Sequence, residues 1–108
     1  WLVNTGWTGG PYNTGTRIDL PSTRRIINAI LDDSIKNHEF YTMPVFNLRI
    51  PSKIDGIRNN LLDPSKAWSS PVRWHIAATD LALKFINNFS KFASNEETLR
   101  LEDAGPKI

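Results

Sequence analysis

The stretch from Trp1 to Arg24, WLVNTGWTGGPYNTGTRIDLPSTR, decides how the remainder of the chain is read. Two short apolar runs, Leu2-Val3 and Ile18 with its neighbours, flank a loop that carries Gly6, Gly9, Gly10, Pro11 and Gly15. Glycine admits positive φ and lets another backbone or a ligand come close, so four of the six glycines within ten residues mark a place of close approach. The plain reading is a long hairpin connection, and the alternative is a loop folded over a ligand. Gly10 and Gly15 have the spacing of a phosphate loop, but Thr16 and Arg17 stand where Lys and Ser or Thr are required, and Pro11 removes an amide. A nucleotide-phosphate site in this loop is rejected.

Downstream, Arg17-Ile18-Asp19 reads as a second short strand running into a helix from Leu20 to about Asp33, with Asp19 as N-cap and Pro21 in the first turn. Ile26, Ile27, Ile30 and Leu31 form its apolar face. Ser34 to Thr42 is a polar connection with a brief strand at Phe40-Tyr41. Val45 to Ile50 alternates apolar and polar residues between Pro44 and Pro51, which predicts a half-buried edge strand. Ser52 to Ser70 reads as a long loop, of the kind that packs over something larger. A second main helix is expected from Ser70-Pro71 to about Phe92, with Ala78, Leu81, Phe85, Phe89 and Phe92 on one face. A short one from Glu96 to Ala104 ends at Gly105-Pro106. The fold class is α/β: a single segment, short strands plus two main helices.

Composition narrows function mostly by exclusion. The chain has 108 residues and a formal charge of +2, and its 13 basic and 11 acidic residues are scattered, which leaves no nucleic-acid footprint. Without cysteine there is no disulfide, thiolate metal site or Cys nucleophile, which fits a reducing compartment. No apolar run approaches the roughly 20 residues of a membrane span. The chain opens on Trp1, within what reads as a strand, and is expected to be a fragment of a longer cytoplasmic protein. His38 and His75 lack convergent partners and read as solvated, and Asn88-Phe89-Ser90 is a sequon on a helix, read as unused. No nucleophile, carboxylate pair or metal cluster stands out.

The wording of the chain says more than its periodicity. NTGWTGGPY followed by G-x-R-I-D-L-P-S-T-R closely resembles the last part of the ATP-dependent phosphoenolpyruvate carboxykinases. The likeness continues in order through Ile26 to Leu31, Met43 to Leu48, Ile50-Pro51, Leu62-Asp63-Pro64, Phe85 to Phe89 and Ala104 to Lys107. The resemblance implies the C-terminal end of the mononucleotide-binding domain of a two-domain enzyme that converts oxaloacetate and ATP to phosphoenolpyruvate, ADP and CO2 in gluconeogenesis. It also implies that the phosphate loop, the ligands for Mg2+ and Mn2+ and the oxaloacetate-binding arginines precede Trp1 in the family's order. The substrates ATP and oxaloacetate and the N-terminal remainder are then the partners, with no nucleic acid and no membrane. The isolated chain is expected to be inactive.

On the family's R-I-x-x-x-x-T pattern, Arg17, Ile18 and Thr23 are implied as the residues that hold the adenosine end of ATP: the guanidinium packs on the base, the next backbone lies beside it, and the threonine closes the pocket. The local alternatives are a surface ion pair for Arg17 and a first-turn hydroxyl bonded to backbone for Thr23. Thr16 replaces the family's usual lysine, and Arg73 stands where relatives often place an acid in the second main helix's capping box. Two other function classes stay open: a carbohydrate binder using Trp1, Trp7, Trp68 and Trp74, and a free-standing nucleotide-binding module, which would lack a phosphate grip.

Overall fold

A computed structural model describes all residues from Trp1 to Ile108. The chain forms two separate two-stranded antiparallel sheets and five helices. The first sheet pairs β1 (Trp7–Thr8) with β2 (Thr16–Arg17), so the glycine-rich stretch is a hairpin connection. The segment before it is not a strand: Leu2 is almost fully exposed. Helix α1 (Leu20–Leu31) starts as its caps dictate, with Asp19 accepting from the Ser22 amide at 2.9 Å and Pro21 in the first turn. It stops two residues earlier than its apolar pattern suggests, because Asp33 turns left-handed with φ 63° and a 3-10 turn follows over Ser34–Asn37.

In the second sheet, β3 (Phe40–Met43) pairs with β4 (Leu48–Pro51) in the register Phe40 to Pro51 and Met43 to Leu48. The predicted strand from Val45 begins three residues late. Val45 and Asn47 take positive φ, 72° and 57°, and make the turn instead. A β-branched residue rarely adopts that conformation. It is held here by burial of the Val45 side chain and by the Lys107 amide, which donates to the Val45 carbonyl at 2.8 Å and ties the C-terminal tail to the turn.

The segment from Ser52 to Ser70 is not a featureless loop. It contributes Ile54 and Ile57 to the core and forms two single-turn helices, α2 (Asn59–Leu62) and α3 (Pro64–Ala67). The longest helix, α4 (Pro71–Phe89), is capped by Ser70, whose hydroxyl accepts from the Arg73 amide, and it ends three residues before Phe92. Next, α5 (Glu96–Leu101) opens on a reciprocal cap between Asn95 and Thr98 and runs into a 3-10 turn to Ala104.

Apolar packing collects in two small centres. One joins Ala29 of α1 to Ile35, Ile54 and Ile57; the other joins Val45 to Trp74, Ala78 and Ala82 of α4. The face of α4 that packs is therefore not centred where spacing predicts, since Leu81, Phe85 and Phe92 stay about half exposed. On α1, Leu31 and Ile27 likewise face solvent. The result is open. An accessible surface of 7955 Å² exceeds the roughly 6,100 Å² of a compact monomer of this mass. The radius of gyration, 15.3 Å, exceeds the ~13 Å of a compact domain of this length. No helix is long and apolar enough to cross a membrane.

Candidate functional site

The three residues singled out in sequence lie where the hairpin meets α1. The hairpin is tightened by Pro11, whose carbonyl accepts from the amides of Thr14 at 2.9 Å and Gly15 at 2.8 Å. A Cβ on Gly15 would sit 2.5 Å from the Gly10 carbonyl oxygen and 2.6 Å from that of Thr8. What the glycines admit is thus the other arm of the hairpin. Gly15→Ala is expected to force the two arms apart at a cost of about 1 kcal/mol, read as a lowered denaturation midpoint.

Arg17 is exposed on β2 and lies directly opposite Trp7. Opposed residues of an antiparallel pair project to the same face. That face carries an indole and a phenol in edge contact, since Trp7 and Tyr12 have ring centroids 5.1 Å apart at 82°. The ion-pair reading of Arg17 fails: all five ion pairs in the chain are Lys to Asp, and the Arg17 side chain has no hydrogen-bond acceptor in the protein. Thr16 pairs with Thr8 and is exposed.

Ile18 continues the ladder by one bond. Its amide donates to the Gly6 carbonyl at 2.8 Å, but the return bond is missing, because the Gly6 amide is taken by Asn4 Oδ1 at 2.9 Å. The Ile18 carbonyl is left without a protein donor while its side chain is buried. Thr23 is buried in the first turn of α1, and its hydroxyl donates to the Asp19 carbonyl at 3.1 Å, which is the local role. Asp19 itself is held below its usual 3.8 by the Ser22 amide and hydroxyl. The three residues do not share a cavity: Ile18 lines a hollow of about 240 Å³ with Trp1, Trp7 and Trp68, whereas Arg17 and Thr23 do not.

Trp7, Tyr12 and Asn4 are the neighbours that sequence reasoning missed. The signal for Trp7 lies in the hairpin register, which no residue spacing fixes beforehand. The four tryptophans do not form one row: Trp74 is buried apart, while Trp1, packed against Phe40 at 40°, shares a hollow with Trp7 and Trp68. No group of three or more His, Asp or Glu side chains could hold a metal ion, so these residues do not fit a Mg2+ or Mn2+ centre. His38 borders a cleft beside α1, and His75 is exposed on α4.

The model of the family described as phosphoenolpyruvate carboxykinase matches residues 1–60, more than half of the chain, and that span contains the hairpin, α1 and both sheets. The phrases from Leu62 onward that carry the rest of the likeness lie beyond the matched span. On the match over its hairpin and first helix, the chain belongs to the ATP-dependent phosphoenolpyruvate carboxykinase family.

Proposed function

We propose that this chain forms the C-terminal end of the nucleotide-binding domain of a cytoplasmic phosphoenolpyruvate carboxykinase and supplies the adenosine side of its ATP site. The whole enzyme decarboxylates oxaloacetate and transfers the γ-phosphoryl of ATP to the resulting enolate, giving phosphoenolpyruvate, ADP and CO2. The observation that carries the adenosine assignment is the Arg17–Ile18 step, a guanidinium without a counter-ion followed by a backbone carbonyl without a donor. The planar cation stacks on a purine, and the carbonyl accepts from an exocyclic amino group at the base edge. Thr23, buried in the first turn of α1 with its proton committed to the Asp19 carbonyl, is assigned to the same site on the family's pattern alone.

The chemistry of phosphoryl transfer falls outside these residues. Such a step needs positive charge and metal ions around the transferring group, and no carboxylate or imidazole cluster here fits that role. The open packing supports a place within a larger body. On α4, Val72, Ile76, Leu83 and Ile86 are exposed on the side away from Trp74 and Ala78. A helix that exposes this many large apolar side chains packs against further protein. The N-terminal remainder of the enzyme is the proposed cover.

The purified 108-residue chain is accordingly expected to form no phosphoenolpyruvate from oxaloacetate and ATP in the presence of Mg2+ and Mn2+. A coupled assay checks this, and turnover above the uncatalysed rate would contradict the division of labour.

A further inference from the structure

A cleft of about 630 Å³ lies away from the hairpin, between one face of α1 and the turn from Ile54 to Ile57. Its floor is the first apolar centre, Ala29, Ile35, Ile54 and Ile57. Arg24, Arg25 and His38 stand on its walls. Neither guanidinium has an ion-pair partner within 4.0 Å or a hydrogen-bond acceptor in the protein, although two carboxylates also border the cleft. Both carboxylates are otherwise engaged: Asp32 accepts from the Ser34 amide at 2.9 Å, and Asp55 faces Lys53 at 3.8 Å.

Arg25 lies against the same turn: its exposed guanidinium rests over Gly56, which has φ +79°. Arg24 adds a second fork from the adjacent helix position.

We infer that this cleft binds a small organic anion, its phosphate or carboxylate held by Arg24 and Arg25 and its apolar body laid on Ala29, Ile35, Ile54 and Ile57. Guanidinium forks match the geometry of such oxyanions, and the floor distinguishes an organic anion from an inorganic one. The site shares no residue with Arg17, Ile18 and Thr23, so it stands independently of the adenosine assignment.

Amide NMR titration of the full chain with phenyl phosphate, inorganic phosphate and phenol tests the inference. Saturable shifts confined to α1 and the Ile54–Ile57 turn are expected with phenyl phosphate, at least fivefold weaker binding with inorganic phosphate, and none with phenol. Arg25→Gln, which keeps the side-chain stem, and Arg24→Gln should each weaken phenyl phosphate binding about tenfold or more. Arg73→Ala on α4 should change nothing. Absence of saturation overturns the site, as does an equal loss in Arg73→Ala. Equal affinity for phenyl phosphate and inorganic phosphate overturns the organic-anion assignment.

Discussion

Replacing Asp63 by alanine is expected to cost about 2 to 4 kcal/mol, a large part of the 5 to 15 kcal/mol that holds a typical domain. Asp63 is 6% exposed and serves as a polar pin between the second sheet and α3. Its Oδ2 accepts from the Tyr41 hydroxyl at 2.6 Å, its Oδ1 accepts from the Ser65 hydroxyl at 2.6 Å and the Ser65 amide at 3.0 Å, and Lys66 Nζ lies 3.9 Å away. Truncation strands the Tyr41 hydroxyl and removes the N-cap of α3 in one step. Tyr41→Phe should cost less, about 1 to 2 kcal/mol. The double variant should fall short of the sum, because both single changes remove the same bond. Urea midpoints of the three variants measure this directly.

The same pin predicts two pH limits. Burial by itself would raise the Asp63 carboxyl, but the hydrogen bonds from Ser65 and Tyr41 and the Lys66 ammonium outweigh it, and the group is held below its usual 3.8. Its contribution is therefore present above that value and is lost as pH falls through the lower folded value. Tyr41 is pushed up to about 12 by burial and by its bond to Asp63. The fold favours the neutral phenol, so this contribution is complete below pH 10 and disappears between 10 and 12. The stability difference between the parent and Tyr41→Phe should shrink across that interval, and a constant difference would contradict the assignment.

Local chemistry explains which features were legible in sequence. The starts of α1 and α4 could be read because an Asp or Ser cap followed by Pro acts within one turn. The start of β4 could not be read, since the alternation from Val45 is that of a strand, and only the tertiary bond from Lys107 and the burial of Val45 place that residue in a left-handed turn. The packed face of α4 was ambiguous for another reason: apolar residues occupy most of its circumference, so periodicity alone could not choose Trp74, Ala78 and Ala82 over Leu81, Phe85 and Phe92. At the candidate site, Arg17, Ile18 and Thr23 were found through the family wording. Trp7 opposite Arg17, with Tyr12 against its ring, and the unanswered Ile18 carbonyl follow only from hairpin register and the Asn4 bond.

Arg17 is the proposed adenine platform, and kinetics of Arg17→Ala in the complete enzyme test that proposal most directly. A lost stacking partner is worth about 0.5 to 2 kcal/mol, which is several-fold to about thirtyfold in nucleotide affinity. Adenine lies far from the phosphoryl group in transit, so ground and transition states lose equally. KM for ATP should rise by that factor while kcat and the KM for oxaloacetate stay nearly unchanged. Arg17→Lys should recover only part of the loss, since a compact ammonium cannot stack as a plane. A hundredfold fall in kcat at saturating ATP, with KM for ATP unaltered, would place Arg17 in the chemical step and contradict the account.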